Sequence, residues 1–303
     1  MLKKKSKILT HGMGENGAFC RSHPLINFVY FAVIIGITMF SNHPVFLLSS
    51  FVTAWVYSIM LKGKKAIIFN ALVLLPVLLI TVIFNVLKVH NGETVLFYLS
   101  GNVITLEAIV FGFVQGLMLS SVIIWFTCFS AVVTEDKFLY LFGRGMPVIA
   151  LTISMILRFI PLFINRFHEI TAARRCMGQS KNSKNPLDRI HQFGKSLSIL
   201  ISWSLEASIE SADSMEARGY GLKGRTSFHL FRLTGSDLGV LVLMLLLGLV
   251  CITGCVMGYT NIYYYPTITL PDFSLMQSVS IMAFCVFLYS AVIMDIRGVY
   301  QWK

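Results

Sequence analysis

A glycine-rich run near residue 220 carries the spacing most suggestive of chemistry in this 303-residue sequence. Gly219, Gly221 and Gly224 match the G-x-G-x-x-G pattern of dinucleotide-binding loops, and the run misses a Walker A loop because Arg225 replaces the lysine. Both loops need a strand before them and a helix after them, so that phosphate meets a helix N-terminus. Here a helical pattern precedes the glycines and no clear helix start follows. The sequence therefore predicts no nucleotide binding.

The other reactive residues do not form the pattern of a metal site or a hydrolase active site. Cys251 and Cys255 lie one helical turn apart in an apolar run without further ligand pairs, so we expect them to pack as small hydrophobes. His168 and Glu169 lack the second histidine of a zinc-protease helix. Glu107 could line a path through a membrane, but its place near the end of an apolar run favours a water-accessible interface. We predict no metal, cofactor or catalytic residue.

The composition predicts an integral membrane protein. Hydrophobic residues make up 56% of the chain, charged residues 13%, and the mean hydropathy is +0.74. Six apolar runs are long enough, or nearly so, to cross a hydrocarbon core of about 30 Å. They span residues 25–40, 44–61, 66–87, 103–133, 237–258 and 275–294. The first two meet at a proline in what reads as a tight hairpin. A seventh run, 147–165, is ambiguous.

The distribution of lysine and arginine predicts the orientation. If both termini are cytoplasmic and the six clear runs cross, all Lys and Arg residues except Lys88 lie on the cytoplasmic side, as the positive-inside rule requires. A seventh crossing at 147–165 would place most of the basic residues between Arg158 and Arg232 outside. We therefore predict a non-spanning helix under the membrane domain there. The net charge of +11 then reflects a multi-pass cell-membrane protein, and no nucleic-acid-binding motif accompanies it.

A long polar helix is predicted from about Leu187 to Arg218. It would measure roughly 45 Å and is too polar to span a membrane. Its apolar residues recur at helical spacing and predict one buried face, formed by Leu197, Leu200, Ile201, Leu205, Ile209 and Ala212. An acidic stripe is formed by Glu206, Glu210 and Asp213.

Two helices in this region are followed by glycine, at Gly178 and Gly219. Left-handed glycine is a common helix terminator, and an arginine in the last turn favours the negative end of the helix dipole. Simple capping is therefore one interpretation of both ends. The alternative is that each end is a docking tip for another protein, since a long charged helical pair on a hydrophobic protein needs a partner or a supporting surface.

The octapeptide Ser214-Met215-Glu216-Ala217-Arg218-Gly219-Tyr220-Gly221, followed by Gly224-Arg225-Thr226, closely resembles the transmembrane T component of energy-coupling-factor (ECF) transporters, the CbiQ/EcfT family. The resemblance is strongest from about Phe167 to Asp237. It implies a vitamin or metal uptake complex in which this chain joins two ATP-binding-cassette ATPases to a small substrate-binding membrane subunit. The chain itself would not be an enzyme, because ATP hydrolysis belongs to the ATPases.

Family members carry two Ala-Arg-Gly-like signatures at the ends of two coupling helices. The resemblance maps the second signature, with its preceding Glu216, onto Ala217, Arg218 and Gly219 unchanged. In the first, alignment on Gly178 puts Met177 in the arginine position. Either a neighbouring cation compensates for this departure or the ATPase presents a more apolar groove. The candidate cations are Arg174 and Arg175. Arginine suits an acidic groove because it keeps its charge when desolvated.

The predicted fold is an all-α, polytopic membrane protein with about six transmembrane helices and a cytoplasmic pair of long coupling helices. Its predicted regions are residues 1–133 with four spans, 134–236 with the coupling helices, and 237–303 with two spans. The alternative function is a self-contained secondary transporter or channel with a regulatory cytoplasmic block. Few intramembrane charges and no paired broken helices argue against it. An intramembrane hydrolase would need paired carboxylates, and none is visible.

Overall fold

The computed structural model describes residues 17–89, 92–99, 102–143, 146–178, 186–220, 222, 233–260, 262–266 and 275–301. Its helices are α1 (Ala18–Arg21), α2 (Pro24–Phe40), α3 (Pro44–Lys62), α4 (Lys64–Lys88), α5 (Leu106–Val132), α6 (Glu135–Gly143), α7 (Pro147–Cys176), α8 (Pro186–Ala217), α9 (Gly235–Val256) and α10 (Leu275–Gln301). Two short antiparallel strands, β1 (Val95–Leu99) and β2 (Asn102–Thr105), form a hairpin before α5. The predicted all-α class is confirmed, with this hairpin as a small addition.

Six of the described helices are long and apolar enough to cross a membrane. They are Pro44–Lys62, Lys64–Lys88, Leu106–Val132, Val148–Cys176, Gly235–Val256 and Leu275–Arg297. This set confirms a multi-pass membrane protein, but its members differ from the predicted six. The first predicted span, α2, is a shorter apolar helix, whereas α7 qualifies by length and composition. The placement of α7 outside the membrane stays a prediction.

The chain divides into two compact units. The core unit consists of Met1–Phe138 and Phe231–Lys303, and the middle unit consists of Leu139–Leu230. In the core unit, α5 packs against α2, α3 and α4, while α10 packs against α1, α3 and α9. In the middle unit, α7 contacts α8.

Two His-Pro pairs start the first two long helices of the core unit. The Nδ1 atom of His43 accepts a hydrogen bond from the Val45 N–H at 3.2 Å, and His23 accepts one from the Leu25 N–H at 3.3 Å. Each histidine satisfies one N–H that the first helical turn leaves without a helical partner. The following proline fits the first helical position because it needs no N–H there. The break between α2 and α3 agrees with the predicted tight hairpin.

Aromatic side chains form the centre of the core unit. Tyr30, Phe31, Tyr57 and Trp125 from α2, α3 and α5 are fully buried, and Tyr30 stacks on Phe287 of α10 with ring centroids 5.4 Å apart. Such contacts stabilise by area burial and by favourable ring geometry. They join helices that lie far apart in the sequence. Cys251 is also buried in this core, which is the packing role expected of it.

Glu107 lies in the first turn of α5 and is only 3% exposed. Its Oε1 atom accepts hydrogen bonds from the N–H of Thr94 at 3.2 Å and from the Thr94 hydroxyl at 2.7 Å. The predicted water access of Glu107 is therefore wrong, whereas its place at the membrane interface stays a prediction. The cause is the hydrogen-bonded segment before α5, in which β2 was read as the start of the apolar run 103–133.

Candidate functional site

Helix α7 ends in a turn closed by a left-handed glycine. The helix begins with proline at its first position and runs unbroken for 30 residues. At its end, the Met177 N–H donates to the Ala173 carbonyl at 3.0 Å and the Gly178 N–H donates to the Arg175 carbonyl at 3.0 Å. Gly178 has φ 71°. We call residues 174–178 the first helix end.

Helix α8 ends in a similar turn 41 positions later in the sequence. The Tyr220 N–H donates to the Met215 carbonyl at 3.0 Å, and the Gly219 N–H donates to the Glu216 carbonyl at 2.9 Å. Gly219 has φ 77°, and this pair of bonds is the Schellman arrangement that satisfies the last carbonyls of a helix. We call residues 214–220 the second helix end. The capping interpretation is thus correct for both glycines, and capping leaves a docking role open.

The side chains at the second helix end face solvent. Glu216, Ala217 and Arg218 are exposed, Gly219 is half-buried, and Tyr220 is 45% exposed. Gly221 and residues 223–232, which contain the Gly224-Arg225-Thr226 part of the motif, lie outside the described residues. The same holds for most of the glycine pattern that imitates a nucleotide loop.

The two arginines of the first helix end differ in exposure. Arg175 is exposed, as is Met177 at 63%. Arg174, by contrast, is only 4% exposed. Its Nη1 atom donates to the Gln192 carbonyl of α8 at 2.7 Å and to the Ser196 hydroxyl at 2.7 Å. One of the two predicted compensating cations is therefore engaged inside the middle unit.

Aromatic side chains make the other close contacts between α7 and α8. Phe163 meets Trp203 edge-on with ring centroids 6.3 Å apart, and the Arg166 guanidinium lies over the same Trp203 ring at 4.8 Å. Phe167 and Phe193 have centroids 5.4 Å apart. The sequence analysis missed these residues, although Phe167, Phe193 and Trp203 are large aromatic side chains in a largely polar region.

The order of these contacts shows that the two helices run antiparallel where they meet. Phe163 faces Trp203, whereas Arg174, further along α7, faces Gln192, which lies earlier in α8. The first helix end therefore lies beside the N-terminal part of α8, and the second lies at its C-terminus. At 1.5 Å per residue, the rise from Gln192 to Arg218 is roughly 40 Å. The two ends are thus well separated within one unit.

Within the middle unit, α7 does not bury the apolar face predicted for α8. Leu197, Ile201, Leu205, Ile209 and Ala212 are exposed, and Leu200 alone of the predicted set is half-buried. The buried or half-buried residues of α8 are Gln192, Ser196, Leu200, Trp203, Ser204, Ala207, Ser211 and Met215. Small, polar and aromatic residues make the contact with α7 instead. Burial of the apolar stripe against any other surface stays a prediction.

These features define a class of protein. It is a multi-pass helical membrane protein with a pair of long helices whose ends carry exposed, glycine-closed turns. Comparison with known families is specific: the family described as "Cobalt transport protein" (CbiQ) matches residues 19–230, and the chain belongs to this family.

Named relatives of the chain support the same family assignment. The chain is 27% identical over 206 residues to the "Energy-coupling factor transporter transmembrane protein EcfT" of Bacillus subtilis (strain 168), covering 63% of the chain and 73% of that protein. It is 28% identical over 204 residues to EcfT 1 of Listeria monocytogenes serotype 1/2a (strain 08-5578), covering 62% and 72%.

A third relative matches over a shorter stretch. The chain is 34% identical over 118 residues to the EcfT protein of Lactobacillus helveticus (strain DPC 4571), covering 38% of the chain and 43% of that protein. The family predicted from the octapeptide is confirmed. The chain is a transmembrane component of the energy-coupling factor transporter type, and a self-contained transporter or channel is not favoured.

Proposed function

We propose that this chain is the coupling subunit of an ATP-driven importer of a vitamin or metal ion. Helices α7 and α8 carry the conformational change of two ATP-binding-cassette ATPases to a small substrate-binding membrane subunit. ATP is hydrolysed in the ATPases, and the chain contributes no catalytic residue. It lies in the cell membrane with both termini in the cytoplasm. The observation that carries the proposal is the pair of exposed helix ends closed by Gly178 and Gly219.

The separation of the helix ends supports two docking partners. An interval of roughly 40 Å along α8 is about the diameter of a small domain. One globular partner would not easily enclose both ends, whereas two ATPases side by side could each receive one. The antiparallel arrangement also makes the ends non-equivalent, since one follows α7 and the other follows α8.

The length and surface of α8 support force transfer between subunits. It is continuous for 32 residues, so a displacement of one end is transmitted to the other. Its exposed apolar stripe includes Leu205 at 62% and Ile209 at 66% exposure. Exposed apolar surface of this extent typically marks a contact with another protein or with a membrane. A membrane subunit that packs on this stripe would be displaced when α8 moves.

Arg218 has the chemistry to anchor the second helix end. Its guanidinium retains its charge when desolvated and can form paired hydrogen bonds with a carboxylate. Its exposure leaves these donors available to a partner. We therefore assign Glu216, Ala217, Arg218 and Gly219 to one docking tip. The other tip is formed by the first helix end, with Met177 in the arginine position and Gly178 closing the turn.

The test is docking of purified ATP-binding-cassette ATPases from the source organism to the full chain in nanodiscs. Arg218→Glu should weaken docking by about 30-fold or more, because truncating a buried arginine anchor costs about 2 kcal/mol or more. Arg158→Glu is the matched control, since it makes the same charge change at an exposed arginine inside α7, away from both helix ends. Undiminished docking of Arg218→Glu, or equal loss in both variants, would reject the proposed tip.

A further inference from the structure

We propose that Arg174 is a positioning residue that fixes the direction of the first helix end, and that Arg175 is the cation this end presents to its ATPase. The proposal rests on the coupling function above. It assigns different roles to two adjacent arginines that the sequence leaves equivalent.

Burial singles out Arg174 and its partner. Among the described residues of α7 and α8, Arg174 and Ser196 are the only buried ones, at 4% and 3% exposure. The most enclosed point of the helix pair is therefore a polar contact. Elsewhere the helices meet through half-buried or exposed side chains. Removing this contact takes away the tightest restraint between the two helices.

The hydrogen bonds at this point form a closed set. Arg174 Nη1 donates to both the Gln192 carbonyl and the Ser196 hydroxyl, each at 2.7 Å. The Ser196 hydroxyl in turn donates to the Gln192 carbonyl at 3.2 Å. Bonds in which one partner is charged are about twice as strong as neutral ones. A single guanidinium therefore holds one complete turn of α8 against α7.

The contact lies one helical turn before Gly178. Restraint at Arg174 therefore sets the direction in which the exposed turn points. Its charge is also favourable there, because the last turn of α7 carries the negative end of the helix dipole. These two effects explain why a cation is buried at this position without a role in docking.

Arg175 has the opposite surroundings. It is exposed, and its carbonyl accepts the hydrogen bond from the Gly178 N–H at 3.0 Å, so it belongs to the exposed turn. An ATPase groove can bind Arg175 without breaking any contact between α7 and α8. Binding Arg174 would require loss of both hydrogen bonds to α8 and exposure of Ser196. The exposed Met177 adds apolar surface beside Arg175, so the matching groove combines an acidic group with an apolar wall.

The first measurement uses the full chain alone in nanodiscs and needs no ATPase. Arg174→Ala should raise amide hydrogen exchange in residues 186–200 roughly tenfold or more, because two charge-assisted bonds are lost. Ser196→Ala should raise it less, and adding it to Arg174→Ala should change little further, since both remove one contact. Arg175→Ala should leave the exchange unchanged. Unchanged exchange in Arg174→Ala, or an equal rise in Arg175→Ala, would overturn the positioning role.

The second measurement is docking of the same purified ATPases at two salt concentrations. Arg175→Ala should weaken docking about tenfold and reduce its salt dependence, because a charge pair at the interface is lost. Arg174→Ala should weaken docking with its salt dependence intact. The reverse pattern would overturn the assignment of Arg175. If the wild-type chain docks no ATPase, the proposed function and the role of Arg175 both fail, whereas hydrogen exchange alone decides the role of Arg174.

Discussion

Replacement of Gly219 by alanine tests whether the second helix end depends on its left-handed turn. With φ 77°, an alanine at this position places its Cβ in a conformation that costs roughly 1–2 kcal/mol. The added Cβ would also lie 3.0 Å from Leu222 Cδ1, which is the end of a flexible side chain and can move aside. The backbone conformation therefore dominates the cost, and the turn that holds Arg218 should open more often.

The matched variants separate this cost from a general effect of alanine. Gly178→Ala should show a similar cost at the first helix end, because φ is 71° and no atom lies within 4 Å of the added Cβ. Gly194→Ala lies inside α8, also without a neighbour within 4 Å, and should stabilise the helix by up to about 1 kcal/mol. All three substitutions replace glycine by alanine, but two should destabilise a helix end and the third should stabilise α8.

Amide hydrogen exchange of the full chain in nanodiscs provides the assay. A cost of 1–2 kcal/mol corresponds to roughly a 5- to 30-fold increase in local opening. In Gly219→Ala this increase should appear at the amides of residues 219 and 220, which donate to the Glu216 and Met215 carbonyls. ATPase docking should weaken as well. Gly194→Ala should leave the exchange at residues 219 and 220 and the ATPase docking unchanged. Unchanged exchange at residues 219 and 220 in Gly219→Ala would refute the argument.

Three further predictions concern the core unit, and thermal unfolding in detergent checks each of them. Gly112→Ala should cost about 1–3 kcal/mol because its Cβ would lie 2.8 Å from the Val82 Cα of α4. Gly36→Ala has no neighbour within 4 Å of the added Cβ and should not show this cost. Equal unfolding midpoints of the two variants would contradict the close approach of α4 and α5. Glu107→Ala should cost about 1 kcal/mol through the lost Thr94 hydrogen bonds, and Glu107→Gln, which keeps an acceptor, should cost less. The reverse order would show that these hydrogen bonds do not stabilise the core unit. Burial lowers the pKa of His43 from its ordinary value of 6.5, so the stability from its neutral, N–H-accepting form is present above pH 6.5 and is lost as the pH falls below it. His43→Asn caps the helix without titrating, so its loss of stability between about pH 7.5 and pH 5 should be smaller. An identical loss in both proteins would argue against a role of His43 titration.

Much of the fold follows from patterns that are local in sequence. Runs of apolar residues predict the membrane helices because a spanning segment must satisfy its own backbone hydrogen bonds. Gly178 and Gly219 predict the ends of α7 and α8 because left-handed backbone favours glycine. The hairpin before α5 escaped prediction because β2 was read as the start of the apolar run 103–133 and β1 was assigned to no element.

The helix-pair contact could not be predicted from the same patterns. Apolar periodicity in α8 marks Leu197, Ile201, Leu205 and Ile209, yet these residues are exposed and the contact stripe lies elsewhere. Periodicity identifies an apolar face but does not say which partner covers it. Adjacent arginines are likewise indistinguishable in sequence. Only the direction of each side chain from α7 separates buried Arg174 from exposed Arg175.

The most direct test of coupling is solute uptake by the chain in liposomes, alone and together with the two ATPases and the substrate-binding membrane subunit. The account predicts no uptake by the chain alone under any ion gradient and ATP-dependent uptake by the complete assembly. It also predicts loss of that uptake with Arg218→Glu but not with Arg158→Glu. Gradient-driven uptake by the chain alone, or full ATP-driven uptake with Arg218→Glu, would contradict it.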